Sequence, residues 1–199
     1  SERMPFVRSA SFGVFIKAGS SSENASELGI AHFLEHVLFK GTSNRSAQEI
    51  ATSLESRGGE INGSTGKEYS VYSAYCLGDD LPLAVDVLLD LIQHPEFDSR
   101  GIELERQVVL SEITHAGEDP EETILDQFYQ NVFPNHPLGT FIYGSKENVK
   151  RFTRDDIESF WKRFYQPSRI VISAAGDVDH DQLVDAVVKH WDDAVEPVD

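Results

Sequence analysis

The chain switches repeatedly between the two hydrophobic periodicities that separate strands from helices. Apolar and polar residues alternate in residues 7–18, 60–64 and 68–77, and residues 169–175 form a short apolar run. Such segments are typical of strands. Segments with helical spacing lie between and after them, in the order strand, two helices, strand pair, several helices, strand, helix. This order predicts an α+β fold, a mostly antiparallel sheet with helices packed on one face.

Capping signals bound several of the helical segments. Ser46 with Glu49 three residues later has the spacing of a capping box, and Gly41 and Gly58 follow the first two helices. The predicted helices cover residues 28–40, 46–57, 79–93, 98–115, 120–132, 153–165 and 179–191. Because no repeat or Pro/Gly/Ser-rich linker divides the sequence, we expect a single domain over residues 1–199.

The charge balance is strongly acidic. Seventeen Lys and Arg residues face 34 Asp and Glu residues, a formal net charge of −17 over 199 residues. Such a surface repels phosphate backbones and anionic lipids, so neither nucleic acid nor membrane is an expected partner. No apolar run approaches the ~20 residues that a membrane-spanning helix needs. The single cysteine, Cys76, cannot form an internal disulfide and is predicted to be a packed small hydrophobe.

The segment His32-Phe-Leu-Glu35-His36 carries the strongest chemical signal. On a helix the two histidines lie one turn apart, ~6 Å along the axis, and Glu35 shares their face. Two histidines that merely pack in a core are the alternative, but a carboxylate on the same face favours a metal site. The pattern is the H-x-x-E-H motif of inverted-motif zinc peptidases.

A catalytic zinc site needs a third protein ligand. Glu105 and Glu112 are seven residues apart and therefore share a helix face, and His115 lies on that face too. One glutamate of the pair could bind metal while the other orients a histidine, and His115 could equally be the ligand. Spacing alone leaves all three candidates open. Glu103, on the opposite side, is predicted to be a solvated helix residue.

Five blocks of the chain resemble the pitrilysin and mitochondrial processing peptidase family of zinc peptidases. The blocks at 29–42 and 105–112 are the most specific, and those at 58–65, 136–139 and 169–176 extend the similarity over most of the chain. The resemblance implies a processing-peptidase-like metallohydrolase domain. In that family the third ligand lies a little over seventy residues after the second histidine.

The resemblance implies a role for each residue of the motif. His32, His36 and Glu112 would hold Zn²⁺, and Glu35 would act as general base on a zinc-activated water. His115 is then a residue of the helix surface.

Two further positions match the family, and one departs from it. Glu105 corresponds to its supporting carboxylate, and Asn62 falls on the edge strand that pairs with an extended substrate peptide. Position 63 is Gly where the family usually has Ala, a change that we expect to be tolerated.

The function implied is a zinc-dependent endopeptidase acting on unfolded polypeptides, presequences or short peptides. Family members generally have a second, related domain that contacts substrate, and this sequence does not include one. We therefore expect a second family domain or subunit as partner, and zinc binding that survives without it. The family favours a bacterial cytoplasm or an organelle matrix as the compartment. The net charge suggests a preference for substrates that contain Arg or Lys.

Two other functions are alternatives. The chain could be a non-catalytic peptide-binding or scaffolding subunit of a two-domain or heterodimeric peptidase complex. It could also be a zinc lyase resembling S-ribosylhomocysteine lyase, in which Cys76 would be the third ligand. Retention of the complete zinc set favours the peptidase over the scaffolding subunit, and the match of the block that contains Glu112 favours it over the lyase.

Overall fold

A five-stranded sheet organises the chain in the computed structural model, which describes residues 1–191. Its strands lie in the order β1-β5-β2-β4-β3. Neighbouring strands are antiparallel except for β1 and β5, which are parallel. The strands are β1 (Glu2–Arg3), β2 (Ser9–Ile16), β3 (Glu60–Thr65), β4 (Ser70–Leu77) and β5 (Ile170–Gly176). Residues 192–199, the end of the predicted domain, lie outside the described residues.

Eight α-helices accompany the sheet within the described residues. They are α1 (Ile30–Leu38), α2 (Ala47–Glu55), α3 (Leu81–Gln93), α4 (Ser99–Glu118), α5 (Pro120–Val132), α6 (Lys146–Arg151), α7 (Arg154–Phe164) and α8 (His180–His190). No helix in this part of the chain is both long and apolar enough to cross a membrane.

One face of the sheet is buried beneath helices, as the alternation in β2 requires. Phe12, Val14 and Ile16 are fully buried, whereas Ser11 and Phe15 on the opposite face are exposed. At ~25 cal/mol per Å² of apolar surface, burial of such side chains supplies most of the driving force for this packing. The predicted α+β class, with a mostly antiparallel sheet covered on one face, is confirmed.

One strand and one α-helix were not predicted from the sequence. Strand β1 has two residues and pairs with β5 at the far end of the chain, so it leaves no local periodicity. Helix α6 has only six residues, too few for an amphipathic pattern to emerge. Every predicted strand and helix is present, with ends that differ from the structure by three residues or fewer.

Candidate metal centre and active site

Helix α1 begins in an unusual way that fixes the position of the H-x-x-E-H motif. Its N-cap residue, Gly29, has a φ of 96°, a left-handed conformation that favours glycine. A glycine offers no capping side chain, and Glu23 takes that role from six residues upstream. Its Oε2 accepts from the Gly29 N–H at 2.8 Å and its Oε1 from the Ala31 N–H at 2.9 Å. Burial raises the pKa of Glu23 to about 8, and the two N–H donors oppose that shift.

The two histidines of α1 face the same space. Their ring centroids are 4.7 Å apart, and the ring of Tyr143 packs edge-on against His32 at 4.9 Å. Burial, together with the neighbouring His36, lowers the pKa of His32 to about 3. His32 is therefore a neutral imidazole at physiological pH, the form that coordinates a metal.

Helix α4 brings Glu112 to the histidines. The Oε2 atom of Glu112 lies 3.2 Å from Nε2 of His36 and 3.7 Å from Nε2 of His32. Potential ligand atoms of His32, His36 and Glu112 all lie within 4.8 Å of one another. Arg106 holds α4 in place because its guanidinium donates to the carbonyl oxygens of Val149 and Phe152 at the end of α6.

Glu105 is not a member of the cluster but contacts one of its histidines. Its Oε2 is 2.9 Å from Nδ1 of His36, and its Oε1 is 2.7 Å from Nζ of Lys40. A carboxylate that accepts from one imidazole nitrogen fixes the ring and directs the other nitrogen at a metal. Here that other nitrogen is the one facing Glu112.

The donors of this cluster fit a zinc ion. Two imidazole nitrogens and one carboxylate form the donor set of catalytic zinc sites that keep a fourth position open. Among the described residues, Oε2 of Glu112 is buried without a hydrogen-bond partner. A buried anionic oxygen is costly unless a cation or donor satisfies it, and a metal beside the two Nε2 atoms would do so.

Glu35 stands beside the cluster and against β3. Its Oε2 accepts a hydrogen bond of 2.5 Å from the Thr65 hydroxyl. Burial raises the pKa of Glu35, and the bond from Thr65 opposes the shift. Gly63 gives the side chain room, since a Cβ at that position would lie 2.9 Å from Cγ of Glu35 and from Cε2 of Phe39.

A cavity of about 340 Å³ opens from His32 and Glu35 toward α5. Helix α5 contributes the carboxyl groups of Glu122 and Asp126 to its wall. Lys67 is the basic residue lining this cavity, and its Nζ is already bonded to the Thr140 carbonyl oxygen at 2.7 Å. The remaining lining residues are Gly63, Ser64, Thr65, Leu125, Tyr129, Ile142 and Tyr143.

Other residues singled out from the sequence lie at the margin of the site or away from it. Asn62 is exposed on β3, the edge strand next to Glu35, and His115 is exposed at the rim of the metal cluster. Cys76 is buried in β4 and does not belong to the metal cluster found among the described residues. Burial raises the pKa of its thiol to about 11. Glu103 is exposed and pairs with Arg106.

Three residues near the site were missed by the sequence reasoning: Glu23, Thr65 and Tyr143. Glu23 acts on α1 from a loop, and Thr65 meets Glu35 only through the position of β3. Tyr143 reaches His32 from more than a hundred residues away. No spacing rule connects residues across such separations, and only the block 58–65 drew attention to the segment that holds Thr65.

Comparison with known proteins places this site in a family. Residues 1–146 match the family model described as insulinase (peptidase family M16), and residues 151–195 match that of the peptidase M16 inactive domain. An uncharacterized zinc protease of Mycobacterium tuberculosis is 46% identical over 190 residues, covering 96% of this chain and 43% of the relative. The beta subunit of the mitochondrial-processing peptidase of Saccharomyces cerevisiae is 38% identical, with coverage of 96% and 41%.

Solved structures share the fold. A protease from Helicobacter pylori superposes with a TM-score of 0.89 at 25% identity, covering 96% of this chain and 46% of that one. Pitrilysin superposes with a TM-score of 0.83 at 23% identity, covering 94% and 20%. The chain thus spans less than half the length of these relatives. From the family models and the similarity to named zinc proteases, we conclude that the chain belongs to the insulinase family, peptidase family M16.

Proposed function

We propose that this chain is the zinc-bearing domain of a zinc-dependent endopeptidase that hydrolyses unfolded polypeptides, presequences or short peptides. The observation that carries the proposal is the convergence of His32, His36 and Glu112 beside the half-buried carboxylate of Glu35. The zinc protease relatives support it. In this proposal the first three residues hold Zn²⁺, Glu35 is the catalytic base, and Glu105 orients His36.

Glu35 performs the proton transfers in the proposed reaction. Zinc held by His32, His36 and Glu112 would supply Lewis-acid polarisation of the peptide carbonyl and would lower the pKa of a water molecule. Glu35 takes the proton of the attacking water and then delivers it to the leaving amine.

Strand β3 is the proposed docking site of the peptide. It is the outermost strand of the sheet on this side and carries Asn62 next to the pocket that contains Glu35. An edge strand presents unpaired backbone groups to which an extended peptide can add as a further strand. The bound peptide would therefore run along β3 and pass beside Glu35.

Cationic substrates are the proposed preference. The net charge of −17 would attract cationic peptides over long range, and Glu122 and Asp126 in the cavity wall would attract their Arg and Lys side chains locally. Cleavage of two peptides that differ only in having Arg or Asp at one position tests this preference. Equal values of kcat/KM for the two peptides would contradict it.

The rest of the proposed enzyme is a second family domain or subunit. The match to a second M16 family model and the greater length of the relatives support this arrangement. In this proposal residues 1–199 form one domain that binds zinc by itself, and the partner contributes further substrate contacts. The proposed compartment is a bacterial cytoplasm or an organelle matrix, in keeping with the bacterial and mitochondrial relatives.

The decisive experiment compares zinc-loaded wild type with Glu35→Gln on a quenched-fluorescent unstructured peptide. Loss of the base is expected to lower kcat by roughly 10²–10⁴-fold. Glu103→Gln, on the exposed side of α4, is the matched control and should cleave like wild type. If wild type binds zinc but stays silent even with the second domain present, the chain is a non-catalytic subunit.

A further inference from the structure

Thr65 contacts Glu35 in a way that the proposed roles of the metal-binding residues do not use. It is the last residue of β3, it is buried, and its hydroxyl donates to Oε2 of Glu35 at 2.5 Å. The bond joins the strand on which substrate is proposed to lie to the proposed base. Hydrogen bonds to charged groups are among the stronger ones in proteins.

Thr65 is itself held firmly. It pairs with Ser70 in the β3–β4 ladder, which fixes its backbone. The hydroxyl of Ser70 lies 3.5 Å from that of Thr65 and donates to the Ala18 carbonyl oxygen at 2.9 Å. The single proton of the Thr65 hydroxyl is thus free for Glu35, and the branched side chain restricts its own rotation.

The two carboxylate oxygens of Glu35 have different surroundings. Oε2 is taken by Thr65, whereas Oε1 points toward Gly63 on the same strand. A Cβ at position 63 would lie 3.2 Å from Oε1, so the glycine leaves that side of the carboxylate open. The hydroxyl of Thr65 thus fixes Oε2, while Oε1 lies beside a residue that has no side chain.

We infer that Thr65 is a positioning residue that anchors Oε2 of Glu35 and so assigns proton transfer to Oε1, on the side of the edge strand. This inference rests on the proposed peptidase function and deepens it. An unanchored carboxylate would rotate about its last side-chain bonds and spend less time aligned with the attacking water. Small misalignments of a reacting group cost large factors in rate.

The kinetic test uses Thr65→Val, which removes the hydroxyl and keeps the shape, and Thr65→Ser, which keeps the hydroxyl. With the second domain present, the valine variant is expected to lower kcat by roughly 10- to 100-fold with KM changed by less than about two-fold. The serine variant should recover most of the rate. Thr52→Val on the exposed side of α2 is the control for a threonine without this contact.

A double-mutant comparison separates positioning from a general loss of stability. In the Glu35→Gln background, Thr65→Val should reduce the residual rate little further, because the group it positions is gone. A full additional loss in that background, or an unchanged kcat in Thr65→Val, would overturn the inference while leaving the peptidase function intact.

A second readout decides the matter without activity. In the NMR spectrum of the zinc-loaded chain, the Thr65 hydroxyl proton should be protected from exchange and give its own downfield resonance. That resonance should be lost in Thr65→Val, and it should shift in Glu35→Gln but stay in place in Thr52→Val. If the hydroxyl exchanges freely in wild type, Thr65 does not anchor Glu35. Failure of the peptidase proposal would instead appear as a silent wild type with this resonance present.

Discussion

Nδ1 of His36 and Oε2 of Glu105 lie 2.9 Å apart, which joins one proposed zinc ligand to a buried carboxylate on another helix. Nζ of Lys40 lies 2.7 Å from the other oxygen, Oε1, so both oxygens of the Glu105 carboxylate have a partner. We predict that Glu105→Gln weakens zinc binding by about 10- to 100-fold while the fold persists. Competition with a chromogenic chelator measures the affinity. Glu103→Gln should bind like wild type, and equal affinities for the two variants would refute the role of Glu105.

Zinc is predicted to be dispensable for folding. The core between α1, α3 and the sheet consists of apolar side chains such as Phe12, Leu34 and Leu88, all fully buried. Treatment with a chelator should leave the far-UV circular dichroism of the chain unchanged. Zinc added back should raise Tm, because a ligand that binds only the folded state stabilises it. A chain that unfolds on removal of zinc would contradict this prediction.

Cys76 is predicted to have no part in metal binding. It is buried within β4, and its thiol, with the pKa raised to about 11, is a poor source of the thiolate that coordinates zinc. Cys76→Ala should retain full zinc content and lose on the order of 1 kcal/mol of stability from the smaller side chain. Atomic absorption on the purified variant measures the zinc, with His36→Ala as the variant expected to lose it. Loss of zinc from Cys76→Ala would favour the lyase.

Glu23 is predicted to make stability depend on pH. Its pKa rises from 4.5 in the unfolded chain to about 8 in the folded one, so its contribution is complete below about pH 4.5 and disappears as pH rises through 8. Wild type should therefore lose on the order of 1–3 kcal/mol relative to Glu23→Gln between pH 5 and 8. Urea unfolding at several pH values measures the difference.

The control for this titration is Glu49→Gln, which alters an exposed capping glutamate whose pKa is lowered by its bonds to Ser46. Its stability relative to wild type should not follow the same course between pH 5 and 8. Parallel profiles for wild type and Glu23→Gln would show that Glu23 does not titrate in this range.

The sequence predicted the parts of the site that depend on local geometry. His32, Glu35 and His36 come together because one helix fixes them at three- and four-residue spacing. Periodicity could not separate Glu105 from Glu112, which share a face of α4. What distinguishes them is which nitrogen of His36 each one meets, Nδ1 or Nε2, and that depends on how α4 is placed against α1.

The elements that were missed depend on contacts between distant segments. Strand β1 exists only because β5 lies beside it, and Tyr143 reaches His32 through a loop that packs on Gly29. Such contacts arise from the packing of whole elements, and a pattern read along a single segment carries no trace of them.

The proposed ligands come from two helices whose nearest members, His36 and Glu112, are separated by seventy-six positions in the sequence. Between them the chain must complete β3, β4 and α3 before α4 can return to α1. The proposed ligand set is therefore complete only when α4 is docked on α1. A copy in which this docking is lost has no assembled centre. In a protein proposed to cut unfolded chains, this dependence on docking would keep a partly unfolded copy from cutting another.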